Sequence, residues 1–418
     1  MRVVADFHVH SRYSRATSRD MEVETLARWA RWKGVTLLGT GDFTHPTYFA
    51  ELKAKLAPTG NGLFVLKRGP RDVSFMLTVE VSNVYVQGGR QRRIHTLIFA
   101  PSLEIAARIN RVLAGYGKLA SDGRPMLGCA ARDLAQMVLD VSAECALVPA
   151  HAWTPWYSVF GANSGFDSLE ECYGEAASAI FAIETGLSSD PAMNWRWSAL
   201  DRIALISNSD AHSPSRIARE ASVFETEMTY RAVLDAIRAG DPSRFLFTIE
   251  FFPEEGKYHY DGHRECGVLW EPAETRRHGG RCPGCGKPVT VGVLHRVECL
   301  ADRPAGCTPP RPIPAKHLVP LAEIIGEALG IGAESAGVEA EWRKLVAAGE
   351  SELAVLMDLP EADLARVTPP KILEGIRRMR AGQLSITPGY DGVYGKVNLF
   401  ARELATPAER PASQLALL

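Results

Sequence analysis

Two histidines one residue apart, His8 and His10 in "DFHVHS", stand at the end of an apolar run that begins at Val3. On an extended strand residues i and i+2 share a face, so both imidazoles can reach one point and chelate a cation. Asp210 and His212, in "SNSDAH", repeat that spacing far downstream. Asp42 and His45 in "GTGDFTHP", Glu80 in "TVEVSN", His95, and His151 in "PAHAWTP" fall in or just after further apolar runs. A lone H-x-H is usually an ordinary pair of histidines, but this many imidazoles and carboxylates on successive strands is what a polynuclear metal centre requires. Imidazole suits zinc, manganese or iron, and a carboxylate can bridge two ions, so the set predicts two or three metals. Such a centre activates water and stabilises charge on a phosphoryl group. Metal-dependent phosphoester hydrolysis is the predicted chemistry, with His8, His10, Glu80, Asp210 and His212 as its core.

The elements that must position these groups alternate. Val3–Val9, Val35–Gly41, Phe75–Val81, Arg93–Phe99, Ala146–Pro149, Ile180–Glu184 and Ile203–Ser207 read as strands, with helical patterns such as "EVETLARWARWK" and "EIAARINRVLA" between them. This alternation predicts an α/β fold with a parallel sheet, and the polar residues at the C-terminal ends of the strands point to a (β/α) barrel. Residues 1–250 form this unit, 251–314 a small glycine-, cysteine- and histidine-rich module, 315–400 a helical domain, and 401–418 a tail. The 47 basic and 49 acidic residues give a net charge of −2, so any nucleic-acid contact must be regional. No stretch reaches the roughly 20 apolar residues of a membrane span, and the N-terminus does not read as a signal peptide. A cytoplasmic, nucleoid-associated protein is expected.

Eight cysteines in so long a chain do not suggest a disulfide framework. Cys282-x-x-Cys285, in "CPGCG", reads as half of a zinc site. His263 and Cys266 are the preferred second half, with His259 as a substitute; His295 and Cys299 also have an allowed spacing.

"DFHVHSRYS", "GTGDFTHP", "TVEVSN", "PAHAWTP" and "SNSDAH" resemble the successive motifs of PHP-domain phosphoesterases. The resemblance implies a distorted (β/α)7 barrel with a trinuclear centre, and gives metal roles to His8, His10, Asp42, His45, Glu80, His95, His151, Asp210 and His212. Glu80 would bridge. Arg15 stands where many of these proteins have an acidic residue, and Gly41-Asp42-Phe43 where many have T-D-H. A narrower resemblance covers nearly the whole chain through "SRYSRAT", "FAIETGLSSDP", "KYHYDGHR", "CPGCGKPVTVGVLHRV" and "PGYDGVYG". It is to endonuclease Q, a family that nicks DNA on the 5′ side of uracil, hypoxanthine, xanthine and abasic sites with divalent metal. It implies a structural zinc in the module, zinc with Mg²⁺ or Mn²⁺ in the active site, and damaged DNA as partner.

A lesion inside a duplex must be extruded to be read. Trp153, Trp156, Tyr157 and Phe160, just after His151, are candidate walls, although aromatics in a loop are at least as often packing residues. Glu184 is a candidate supporting carboxylate, metal ligand or lesion contact. Arg276, Arg277, Arg281, Lys287, Arg296 and Arg303, then Arg366, Lys371, Arg377, Arg378 and Arg380, form the regional positive charge expected of phosphate contacts. The last residues, Gln414, Leu415, Ala416, Leu417 and Leu418, are similar to sliding-clamp docking peptides. Two rivals are a small-molecule phosphomonoesterase and a non-catalytic PHP scaffold; the first leaves the module and tail unused, and the near-complete ligand set argues against the second.

Overall fold

The computed structural model describes residues 1–400; the clamp-like residues Gln414, Leu415, Leu417 and Leu418 lie outside them. The first strand, Arg2–Asp6, is apolar and buried at Val3, Val4 and Ala5. A run buried on both faces belongs in the interior of a sheet, and the strand lies there, between Leu37–Gly39 in parallel and Ala221–Glu225 in antiparallel pairing. The sheet continues through Ser74–Gln87, Arg90–Ala100 and Ala146–Pro149 on one side, and through Phe245–Glu250 and Ala315–His317 on the other. Ala182–Glu184 and Ala204–Ile206 form a separate parallel pair. Backbone bonds tie the ends of these strands together: the Ala152 N–H donates to the Glu184 carbonyl, and Val9 pairs with Ala211. The segments leaving four strands thus converge at one end of the sheet, where the ligand-type residues lie.

The fold is mixed α/β, and the expectation of a parallel sheet is corrected. Arg90–Ala100 runs antiparallel to both of its neighbours, as Ala221–Glu225 does to the first strand. The physical reason for the first reversal is the turn at Gly88 and Gly89, with φ of 61° and 70°. Two residues with positive φ close a tight hairpin, so the chain turns back without a crossover helix.

Five helices, Leu321–Leu329, Ala336–Gly349, Glu352–Met357, Glu361–Val367 and Pro370–Arg380, pack around buried Ile324, Leu345, Leu356, Leu364 and Ile376. They meet the α/β part at helix Val23–Lys33, where the Trp29, Trp32 and Trp342 rings lie 5.4 to 6.2 Å apart. Between the two parts sits the small module, with hairpin Asp261–His263/Val268–Trp270 and helices Pro272–Arg277 and Val293–Leu300. The "PGYDGVYG" segment returns to this module. Asp391 accepts from Thr290 Oγ1 at 2.5 Å and from the Arg264 N–H at 2.8 Å. No helix among the described residues is long and apolar enough to cross a membrane.

One buried carboxylate anchors the helices. Glu352 accepts from Lys33 Nζ at 2.6 Å, Trp342 Nε1 at 2.6 Å and the Leu321 N–H at 3.3 Å, and Lys33 and Glu352 are both buried. Removing one partner of such a pair strands the other charge. Glu352→Ala is expected to lower stability to urea by about 3–5 kcal/mol, and pairing Glu352→Leu with Lys33→Met to recover most of that loss. A single variant as stable as the parent would show that the pair is not an anchor.

Candidate metal centre

The centre is built around Glu80, in the middle of strand Ser74–Gln87 and fully buried. Its Oε2 lies 3.4 Å from His8 Nε2 and 3.3 Å from His10 Nε2, and Asp210 Oδ1 lies 3.5 and 3.1 Å from the same two nitrogens. Its Oε1 faces the other way, 2.6 Å from His95 Nδ1 and 3.0 Å from His151 Nε2. Two groups that can hold a metal ion result, His8–His10–Glu80–Asp210 and Glu80–His95–His151, with Glu80 common to both. A carboxylate with one oxygen toward each group is placed as a bridge.

Each histidine of the first group is oriented from behind. His8 Nδ1 lies 3.0 Å from both Glu184 oxygens, while Glu184 also accepts from the His151 N–H at 2.7 Å and from Asn208 Nδ2 at 2.9 Å. His10 Nδ1 lies 3.1 Å from Asp42 Oδ1. A carboxylate on one ring nitrogen fixes the tautomer and turns the other toward the ion. His8 Nε2 is buried, and it has no hydrogen-bond partner among the described residues. An orphaned ring nitrogen between two carboxylate oxygens is what a cation ligand looks like. The electrostatics agree. Burial opposes charge on His8, yet Glu184, Asp210 and Glu80 outweigh it and raise its pKa well above the ordinary value. At His10 burial is likewise outweighed, by Asp210, Asp42 and Glu80. The pocket is short of positive charge, and residues of this kind fit divalent ions.

Three residues of the site hold backbones that L side chains seldom adopt: Asp42, His151 and Asp210 have φ of 45°, 30° and 48°. Strain of this kind persists where surrounding bonds over-determine it. For Asp42 those bonds are visible, since Oδ2 accepts from the Ser11 N–H at 2.7 Å, Ser11 Oγ at 2.6 Å and Ser14 Oγ at 2.9 Å.

The nine residues read as ligands are therefore not equivalent. His8, His10, Glu80, His95, His151 and Asp210 come together. Asp42 stands behind His10. His45 Nδ1 accepts from the Tyr48 N–H at the start of helix Pro46–Lys55, and its ring stacks on Tyr13. His212 lies beside Asp210 at 3.5 Å without joining either group. Arg124, which sequence reasoning did not single out, donates to Glu80 Oε2 at 3.0 Å. Its only signal in the chain was its place in the turn "SDGRP".

The candidate DNA contacts also divide. Trp153 is buried against Phe160 and Trp197 and donates to Asn194 Oδ1, and Glu184 is buried beneath His8, so neither can touch a base. Trp156 is 40% exposed, and with Tyr157 it lines a cleft of about 970 Å³ together with Arg93, Lys257, Tyr258 and Tyr394. The Tyr157 ring lies 4.7 Å from that of His95, so the cleft opens beside the metal groups. Many of the arginines are already engaged. Arg377 and Arg378 bond Glu361 and Glu374, Arg380 donates to the Val355, Leu356 and Leu359 carbonyls, Arg296 donates to the Phe160 and Phe166 carbonyls, and Arg303 pairs with Asp201. In the module, His263, Cys266, Cys282 and Cys285 form a third group that can hold a metal ion. His259 is buried apart from them, and His295 is taken by Asp261 at 2.5 Å.

A family model described as the MJ0043 C-terminal domain matches residues 320–383, the helices above. The chain is 31% identical to the uncharacterized protein MJ0043 of Methanocaldococcus jannaschii over 59% of its own length, a match that spans only 31% of that relative. It is 28% identical to the uncharacterized protein YqxK of Bacillus subtilis, over 95% of this chain and 99% of that one. Among solved structures, the lesion-specific endonuclease PfuEndoQ of Pyrococcus furiosus matches with a TM-score of 0.85 at 33% identity, over 96% of this chain and 98% of that one. An endonuclease Q in complex with a 27-mer duplex carrying an abasic lesion at its active site matches with a TM-score of 0.84 at 33% identity, over 97% and 99%.

The support behind His8 can be tested by metal competition. Glu184→Gln keeps the shape but gives the ring a weaker partner, and is expected to lower divalent-metal affinity of the centre by about 10–100-fold. Cys285→Ser should instead remove one ion per chain and leave the centre's affinity unchanged. Equal affinities in Glu184→Gln and parent would exclude the supporting role.

Proposed function

This chain belongs to the endonuclease Q family, and from that premise we propose that it is a metal-dependent DNA endonuclease that nicks one strand 5′ to deaminated bases, uracil, hypoxanthine and xanthine, and at abasic sites. The observation that carries the reading is the near-complete similarity to an endonuclease Q bound to an abasic duplex, together with the Glu80-centred ligand set. In this reading the α/β part is a PHP-type barrel, residues 251–314 are a zinc module, and the helices beyond it help to hold the duplex.

The chemistry is hydrolysis of a phosphodiester. A water oxygen bonds to phosphorus, the bond from phosphorus to the leaving sugar oxygen breaks, and that oxygen takes up a proton. Divalent ions, zinc with Mg²⁺ or Mn²⁺, would supply an activated water and charge neutralisation when held by His8, His10, Glu80, His95, His151 and Asp210. The chain's own residues do the rest. Glu184 and Asp42 orient the ligand rings, and burial of Glu80 keeps bulk water from competing for them. His212, beside Asp210 and partly exposed, is an imidazole that could pass a proton at the edge of the centre. The cleft lined by Trp156, Tyr157, Tyr258 and Tyr394 is wide enough for an extruded base, and aromatic faces are what a base stacks on.

The test uses end-labelled duplexes with one deoxyuridine, one deoxyinosine, one abasic site or no lesion, incubated with Mg²⁺ or Mn²⁺ and resolved on a denaturing gel. A nick immediately 5′ to the lesion, absent from intact DNA and blocked by chelator, is expected. Asp210→Ala should abolish it while damaged-DNA binding is retained, and Trp156→Ala should reduce cutting at base lesions more than at abasic sites, which offer no base to stack. Lesion-independent cutting, or hydrolysis of phosphomonoesters alone, would overturn the reading.

A further inference from the structure

Of the nine residues that the resemblance assigns to a trinuclear centre, Asp42, His45 and His212 join neither ligand group. Both Asp42 oxygens are engaged, Oδ2 with three donors from Ser11 and Ser14 and Oδ1 with His10. His45 caps a helix and stacks on Tyr13 at 4.4 Å. Position 15, acidic in many PHP proteins, is Arg15, whose side chain is 82% exposed and points to Asp122. The described residues group into two ligand sets at the centre, joined by Glu80.

A positive charge is nevertheless present at the bridge. The segment 121–127 lays Arg124 against the site and is stitched down on both sides. The Gly123 N–H donates to the Tyr13 carbonyl, the Pro125 carbonyl accepts from Ser82, and Met126–Leu127 pairs with Ser82–Asn83. A Cβ at Gly123 would collide with Asp42 Oδ2 and Ser14 Oγ, so only glycine lets this segment come so close. Asp122 Oδ1 accepts from both the Arg124 and Arg15 N–H groups, locking the turn to the loop that follows His10. The Arg124 guanidinium donates Nη1 to Glu80 Oε2 at 3.0 Å, and its other N–H groups have no acceptor among the described residues. Its side chain is 25% exposed, so it is not wholly shut off from solvent.

We propose that Arg124 takes the place of a third metal ion: the guanidinium bonds the bridging Glu80 with one edge and a non-bridging oxygen of the scissile phosphate with the other. A guanidinium is permanently charged and presents a planar fork of donors that matches two oxygens, so it can hold the bridging carboxylate and the phosphate together. Charge on the phosphoryl oxygens grows as the water oxygen approaches, and a fixed cation already in place needs no reorganisation to meet it. The centre is then binuclear with a built-in organic cation, and Arg124 is a catalytic residue.

This inference rests on the phosphodiesterase reading above, and its test separates the two. Metal content by plasma mass spectrometry should give one ion for each of the two groups at the centre and one for the module, unchanged in Arg124→Ala and Arg124→Lys. Single-turnover cleavage of lesion DNA should fall about 100- to 1000-fold in Arg124→Ala. Arg124→Lys, which keeps charge but loses the fork, should regain only part of the rate, and added guanidinium chloride should raise Arg124→Ala more than an equal concentration of potassium chloride does. The same variants are assayed on bis(p-nitrophenyl) phosphate, which carries no lesion. Failure of wild type on damaged DNA with Arg124-dependent cleavage of this diester would sink the lesion reading and support the arginine. A third ion at the centre of the parent, or parental single-turnover rates on both substrates in Arg124→Ala and Arg124→Lys, would overturn the inference.

Discussion

The structure turns on the burial of the Glu80 carboxylate in a place where water cannot solvate it. A buried anion must be met by positive charge or hydrogen bonds, and several kcal/mol ride on how well it is met. Around Glu80 four imidazole nitrogens and one guanidinium lie within 3.4 Å. They come from four segments of the chain: the turn after the first strand for His8 and His10, the hairpin partner for His95, the loop after Ala146–Pro149 for His151, and the 121–127 turn for Arg124. The centre therefore holds the convergent strand ends together as much as the strands position the centre.

The same constraint explains why carboxylates recur one layer back. Glu184 and Asp42 sit behind His8 and His10, and with Asp210 and Glu80 in front they raise the pKa values of the two imidazoles despite burial. Glu80 and Asp210 are held well below the usual carboxylate range although burial alone would raise them, Glu80 by His95, Arg124, His8 and His10, and Asp210 by His8 and His10. Divalent ions between these groups would relieve both shifts, so the first ring of residues and the one behind it work as a unit. The positive φ of Asp42, His151 and Asp210 belongs to this arrangement, since an unstrained backbone at those points would aim the side chains elsewhere.

What could be read from the sequence follows from the range of the interactions. Alternating apolar runs and the H-x-H spacing are local, so the strands around Arg2–Asp6, Ala146–Pro149 and Ala204–Ile206 and the clustering of His8 and His10 with Asp210 were legible. The sense of strand pairing was not, because reversal at Gly88-Gly89 depends on two backbone angles that period alone does not report. Nor does residue type tell a group that joins the cluster from one behind it: Asp42 and Glu184 look like ligands in the chain, and only the distances place them against the rings of His10 and His8. Arginine suffers the same ambiguity in the opposite sense. A basic run such as "EGIRRMR" reads as a DNA-facing stripe, yet Arg380 is spent on three carbonyls and Arg377 and Arg378 on glutamates, whereas the solitary Arg124 reaches the carboxylate shared by both groups, Glu80.

The cleft beside the centre is shared property of the chain's parts. Tyr157 comes from the loop after His151, Lys257 and Tyr258 from the start of the module, and Tyr394 from the segment that returns last in the described chain. Asp391 pins that returning segment to Thr290 and Arg264 of the module, and the Gly389 and Gly395 N–H groups donate to the Glu254 and Glu255 carbonyls at its edge. The aromatic wall thus exists only when the α/β part, the module and the returning segment are assembled. The four-residue group of the module lies in the part that holds this wall, so an ion there would act on the cleft through packing. On this argument the module bears on the shape of the cleft, while the Glu80 cluster beside it depends on the strand ends alone.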